Sequence, residues 1–453
     1  MFRDKRQKKH SPFFKASILS HFLIITCLSV CQAEEPLSLD LEQCLKIALE
    51  NNQQILTARE NIKNARAIID ENSASAYPEL KASADYTRLG NIDEVNFGEQ
   101  NFSFVPEDNY KLDLNLSQKL YSPKVFEAIK ASKTYAKSVD MELEIVRQSI
   151  VSLVKESFYK FLLSKELLNI HKESVAQLKR QLDDVKKRFE AGFATDFDVL
   201  RAEVQLANAI PDLAKVKYGI EVAKASLSLI LGLKHSTQIN VVGELIPSHL
   251  EITMEEALAT ALKKRPEFVH MDYTIETLER YAKVAKKEFS PTLRMHGNLS
   301  YANDDVEIGQ EAEWDYSWSV GVTLDYKIFD GWERRSKVTQ ALIGVTNAKL
   351  DRAQLLNSIS LEVKTAYSAL TESQELILSQ AKNIERAERA YDIARVGNSN
   401  GIITELQLLD AQLALTSARV NYSQAVHGFL IARARIEKAM GIAEADFSPE
   451  PAG

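Results

Sequence analysis

The sequence predicts a mainly α-helical, internally duplicated protein with a smaller β part suited to a membrane barrel. Three observations carry that prediction: one interval of unusual helical length, a repeat with a period of a little over 200 residues, and four segments of strict two-residue alternation.

From Lys124 to Ala191 there is no glycine or proline, and Pro123 and Gly192 bracket the interval. Its apolar residues keep steps of three and four: Val139, Leu143, Val146, Ile150 and Leu153 toward one end, Val175, Leu178, Leu182, Val185 and Phe189 toward the other. That spacing is a coiled-coil seam. At about 1.5 Å per residue a continuous helix here reaches roughly 100 Å, far more than a bilayer needs. Charged residues among the seam positions, such as Lys179, Arg180, Asp183, Asp184, Lys186, Lys187 and Arg188, place it in water and not in lipid.

Residues 1–33 read as a secretory leader: a basic segment, an apolar run from about Ile18 to Val30 that is short for a spanning helix, and small residues at its end. Cleavage after Ala33 removes six basic residues and one acidic residue, which deepens the formal charge from −7 to −12. A chain so acidic is not expected to bind nucleic acid. Of the three cysteines, Cys27 and Cys31 fall in the leader, so Cys44 has no disulfide partner. Cys31 is the candidate for lipid modification should cleavage fall before it.

The repeat organises the rest. Leu39–Leu45 aligns with Ile252–Leu258 at an offset of 213, which also matches Pro78 to Pro291. Gly192, Thr195, Leu200 and Ala202 match Gly401, Thr404, Leu409 and Ala411 at an offset of 209, as do Gly219 with Gly428 and Gly232 with Gly441. The first repeat covers residues 37–232: a helix of about 35 residues, a β-hairpin at 79–121, the long helix at 124–191, a turn, and a return helix at 195–231. A linker at 233–251 leads to the second, 252–441, with its own first helix, a hairpin at 292–329, a long helix at 332–396 and a return helix at 404–440; a tail follows at 442–453. Pro211 removes a backbone donor inside the first return helix and should kink or break it. Val420 takes its place in the second.

The alternation is clearest from Trp314 to Ile328, where Trp314, Tyr316, Trp318, Val320, Val322, Leu324, Tyr326 and Ile328 occupy every second position and polar residues or glycine the others. Segments starting at Leu80, Tyr110 and Leu293 repeat the pattern. Each predicts a strand with one apolar and one polar face. Aromatic residues at strand ends, with Trp314, Tyr316 and Trp318 as a candidate girdle, fit a lipid-facing barrel better than a soluble sheet. Four strands cannot close, and an open edge in lipid leaves backbone groups unsatisfied. Two chains give a barrel whose interior side chains fill, and three give a twelve-stranded barrel with a lumen. The inner face, with Lys81, Asp85, Lys111, Asp113, Arg294, Asp315, Asp325 and Lys327, suits water, so a homotrimer is expected. The acidic connectors 90–109 and 304–313 become exposed loops.

The eight histidines show no metal-ligand spacing, and no phosphate loop or nucleophile motif stands out, so neither an enzyme nor a cofactor is expected. A coiled-coil scaffold of the envelope without a pore is the competing reading. Helix content alone suits it, and the strands oppose it.

A leader followed by a doubled unit of helix, hairpin, very long helix, Gly-x-x-Thr turn and return helix, over residues 37 to 443, resembles the TolC-type outer-membrane efflux proteins. The resemblance implies a trimeric conduit of efflux or type I secretion systems: a twelve-stranded barrel in outer-membrane lipid, continued by an α-helical barrel through the periplasm. It also implies two partners, a periplasmic adaptor protein and an inner-membrane transporter. The two Gly-x-x-Thr turns then lie at the periplasmic tip, where Arg188, Gly192, Thr195, Gly401 and Thr404 dock the adaptor. Thr404–Ala411 is similar to the family's pore constriction: Asp410 stands at one of its two acidic positions and Gln407 at the other, while Asp198 matches the acidic partner on the first return helix. The latching tyrosine and arginine of the family are Asn398 and Ile403 here, which puts that latch in doubt.

Overall fold

The computed structural model describes residues 37–91, 95–97, 100–102, 107–234, 237–247, 250–303 and 314–443. The leader with Cys31, the connector 304–313 and nearly all of the tail lie outside the described residues.

A short strand β1 (Leu37–Leu39) leads into α1 (Leu41–Asn51), which starts on a reciprocal cap: the Gln43 backbone N–H donates to Asp40 Oδ1 at 2.8 Å, and the Asp40 N–H to Gln43 Oε1 at 3.1 Å. The first helix is not one element of about 35 residues, as the sequence suggested. Asn52 adopts extended φ/ψ (−62°, 132°), ends α1, and caps α2 (Gln53–Ala74) by accepting from the Gln54 N–H. The second repeat breaks at the equivalent place, between α5 (Met254–Lys264) and α6 (Pro266–Lys287), because Pro266 excludes Arg265 from the helical region.

Four long strands follow the expected alternation: β2 (Glu79–Arg88), β5 (Asp108–Tyr121), β7 (Thr292–Ala302) and β8 (Asp315–Asp325). They form one antiparallel sheet in the order β2-β5-β7-β8, so the hairpins of the two repeats are joined through β5 and β7. The connector 90–109 is not simply a loop: it carries two short paired strands, β3 (Val95–Phe97) and β4 (Gln100–Phe102).

Below the sheet run α3 (Pro123–Glu190, 68 residues) and α7 (Glu333–Ser399, 67 residues), each returned by a 35-residue partner, α4 (Asp196–Ile230) and α8 (Glu405–Ala439). Half of the seam residues of α3 are buried, namely Val139, Ile150, Val175, Leu178 and Val185; Leu143, Val146 and Leu182 are half-buried, and Leu153 and Phe189 face outward. α4 continues through Pro211 as one helix and does not end there. The proline sits on an exposed face, where one lost backbone hydrogen bond is tolerated by a helix already fixed by packing on α3. Trp332 lies just outside α7, in a left-handed conformation (φ 70°).

Two apolar cores sit midway along the long helices. In the first, Leu39, Cys44, Ala48 and Ile55 meet Ile150, Val154, Phe158, Leu227 and Leu231; in the second, Ala257, Phe268, Ile359, Val363, Val426, Phe429, Ile436 and Met440 pack together. The linker 233–251 contributes a strand of its own, β6 (Ile239–Val241), which pairs in parallel with β1 and carries Ile239 and Val241 into the first core.

Candidate pore surfaces and stalk tip

The pairing register sorts the sheet into rungs. Lys81, Asn115, Asn298 and Ser319 share one rung, Ser83, Asp113, Ser300 and Ser317 the next, and Asp85, Lys111, Ala302 and Asp315 the one beyond. All lie on one face, where Asn298 Nδ2 donates to Asn115 Oδ1 at 2.9 Å and to Asp113 Oδ1 at 3.3 Å. Further down, a Cβ on Gly321 would stand 2.6 Å from His296 Nε2, so the imidazole lies across that glycine.

The opposite face exposes what a soluble sheet would hide: Leu80, Leu112, Leu114, Leu116, Leu299, Val320, Val322 and Leu324. At its outer end four rings form a connected band. Tyr86 and Tyr110 lie 5.0 Å apart, Tyr110 and Trp314 6.1 Å, and Trp314 and Tyr301 4.8 Å. Of the girdle read from sequence, Trp314 belongs to this band, Tyr316 sits opposite Tyr301, and Trp318 lies further along β8, opposite Leu299. Tyr86, Tyr110 and Tyr301 were missed as girdle members, although each stands near a strand end at an apolar position. A second aromatic group, Tyr77, Tyr121 and Tyr326, is exposed at the stalk end.

At the far end of the stalk both reversals are Schellman turns. Gly192 (φ 79°) and Gly401 (φ 72°) close them, with Phe193 N–H donating to Arg188 O at 2.8 Å and Ile402 N–H to Gly397 O at 2.8 Å. Each return helix then opens on a capping box. The Thr195 hydroxyl and backbone N–H donate to Asp198 Oδ2 at 2.7 and 2.9 Å and hold its carboxyl below the usual carboxylate range. Thr404 and Gln407 repeat the arrangement, the Thr404 N–H donating to Gln407 Oε1 at 3.0 Å.

Asp198 and Gln407 are therefore engaged as caps. Asp410, one turn beyond Gln407, is exposed and makes no ion pair among the described residues. Arg188 turns inward, its Nη1 donating to Asn398 Oδ1 at 3.0 Å; buried Asn398 in turn donates to Ile403 O at 3.2 Å and Glu405 Oε2 at 3.3 Å, and Gln181 donates to the other oxygen of Glu405. This network joins α3, α7 and α8 within one chain. Ile403 covers Gly397, where a Cβ would meet its Cγ1 at 2.8 Å. The apolar side chains Phe193, Phe197 and Ile402 are left exposed. Among the described residues no group of His, Cys, Asp or Glu could hold a metal ion, and no helix is long and apolar enough to cross a membrane.

An open sheet that is apolar outside and polar inside, set on paired helices far longer than a membrane is thick, defines a protomer of an outer-membrane duct. The chain belongs to the outer membrane efflux protein family, whose model matches residues 44–233 and 257–442. It is 21% identical to the outer membrane protein TolC of Vibrio cholerae over 98% of both chains, and 22% identical to the alkaline protease secretion protein AprF of Pseudomonas aeruginosa over 90% of this chain and 86% of that one. Its fold is similar to that of the Campylobacter jejuni CmeC outer membrane channel, with a TM-score of 0.76, 19% identity and coverage of 89% of this chain and 86% of that chain.

Proposed function

We propose that three copies assemble into one passive exit duct through the outer membrane and periplasm, fed by an inner-membrane transporter through a periplasmic adaptor. The observation that carries this reading is the sheet with two bare edges. Among the described residues β2 and β8 each lack a neighbour on one side while the outward face is fit only for lipid, and closing β8 of one copy on β2 of the next removes both edges. Twelve strands then enclose a lumen lined by the polar rungs.

In this assembly the tip is the gate. The exposed Asp410 carboxylates meet around the threefold axis, where a negative ring favours cations and resists its own closing. Gly192, Thr195, Gly401 and Thr404 form the end surface on which the adaptor docks, with Arg188 bracing it from behind. The duct supplies no energy of its own, so transport depends on the inner-membrane partner. AprF carries protease secretion in its name and CusC, from Escherichia coli O157:H7, cation efflux; the cargo of this chain is one such exported solute or polypeptide.

The test is extraction and conductance. The protein should leave the membrane only with detergent, run as a heat-resistant trimer in mild detergent, and conduct in planar bilayers, with adaptor and transporter recovered by crosslinking in cells. A water-soluble monomer without conductance would refute the duct and favour a pore-free scaffold.

A further inference from the structure

The polar face of the sheet is not evenly charged. Among the described residues, the inward rows nearest the stalk carry Lys81, Lys119 and Arg294 against Glu79 and Asp325, one cation in excess. The rows further out carry Asp85, Asp113 and Asp315 against Lys111, two acids in excess. The sign of the face therefore changes along its length.

At the basic end the pairing itself is unusual. Lys119 on β5 and Arg294 on β7 are direct cross-strand partners, whose Cβ atoms stand about 5 Å apart, and like charges so placed weaken a sheet. Elsewhere the same sheet opposes unlike charges: Asp85 faces Lys111, and Arg88 faces Asp108. Nothing cancels the Lys119–Arg294 pair in full. Lys119 and Lys81 have no ion pair among the described residues, Glu79 has none either, and Arg294 Nη2 reaches Asp325 Oδ2 only at 3.8 Å, with both side chains about half exposed. The strand ladder breaks register directly after Lys119, between Lys119 and Tyr121, and such irregularities re-aim side chains next to functional sites. Neutral polar groups surround the two cations. Thr323 is the other cross-strand partner of Arg294, and its Oγ1 lies 3.4 Å from Nδ1 of His296, whose ring occupies the space that Gly321 leaves open.

We propose that Lys119 and Arg294, with Thr323 and His296 beside them, form an oxyanion site in each copy, a basic collar inside the duct where barrel meets stalk. Its ligand is a phosphate or carboxylate group on a passing solute. Guanidinium and ammonium groups hold such oxygens through charge-assisted hydrogen bonds, and an anion seated between two opposed cations turns their repulsion into attraction. The collar rests on the barrel reading above, because a solute meets this face only if it lines a lumen. It also adds to that reading: the duct gains a second charged station, opposite in sign to Asp410 at the tip, so an anionic group that has cleared the tip is drawn onward into the barrel.

The test uses the full-length protein in planar bilayers, with inorganic pyrophosphate added on the barrel side in dilute salt. Pyrophosphate should reduce the current, and Lys119→Gln/Arg294→Gln should raise the half-blocking concentration about tenfold or more. The charge-conserving Lys119→Arg/Arg294→Lys should stay within about threefold of the parent protein. In about 1 M salt, where the Debye length is about 3 Å, the block should weaken in the parent as well. A current that pyrophosphate leaves unchanged, or a block that survives in the glutamine variant, overturns the collar and leaves the duct intact; no current at all sinks the duct itself. The heat-resistant trimer should persist in the glutamine variant, since removing opposed like charges relieves the sheet. Loss of the trimer would make the pair structural and overturn the proposal.

Discussion

Cys44 points from α1 into the first core and is completely buried, and burial, helped by the nearby Asp40 carboxylate, pushes its thiol up to about 12. Its thiolate fraction at pH 8 is then roughly a thousandfold below that of an ordinary thiol, so maleimide should label the native protein only after unfolding. His427 on α8 is a second isolated group: its Nε2 is buried with no hydrogen-bond partner among the described residues. Burial is the main cause that lowers its pKa from the ordinary 6.5; Lys160 and Arg435 lower it further and Glu156 opposes them. The unfolded imidazole accepts a proton near its ordinary value while the folded one resists, so the stabilising effect is whole above that pH and is lost as the solution becomes more acidic. Melting temperature should therefore fall between pH 7.5 and 5.5, and His427→Leu should flatten that fall; an unchanged slope in the variant would exclude His427 as its source.

At the scale of elements, the two repeats solve one joint in the same way with different residues. Asn52 Nδ2 donates to Ile230 O at 2.7 Å, and Arg265 Nη1 donates to Ala439 O at 3.3 Å, so each break between short helices caps the end of its own return helix. Gly232 and Gly441 follow those ends with φ of 69° and 74°, and a Cβ would lie 2.3 Å from Asn51 O in the first case and 2.8 Å from Arg265 N in the second. Both constraints act on backbone, which cannot yield as a side-chain tip can. Gly232→Ala should cost at least about 2 kcal/mol, read as a lower melting temperature with the β part unaltered. Gly192→Ala meets open space and should cost only the left-handed backbone term, about 1 kcal/mol.

For the whole molecule, the consequential charge is that of Asp410. Asp410→Ala should leave folding and trimer formation unchanged, because the side chain is exposed and unpaired among the described residues, yet lower the cation preference of single channels. Unaltered selectivity would remove Asp410 from the constriction. The Arg188–Asn398–Glu405 network bears on the same tip from behind, since any movement of α7 and α8 away from α3 must break it. It was invisible in the sequence because its partners are separated by about 200 positions and none has a distinctive motif.

What the sequence determined by itself was periodicity and punctuation. Strict alternation fixed the two faces of the four long strands, Pro123 and Gly192 bounded α3, and paired glycines marked the joints, because each is a local property of backbone and side chain. Tertiary structure decided the rest. Only packing carried α4 through Pro211, drew residues 239–241 into a strand beside β1, and joined β5 to β7. Those outcomes depend on groups far apart along the chain, whose free energy exists only once both are in place.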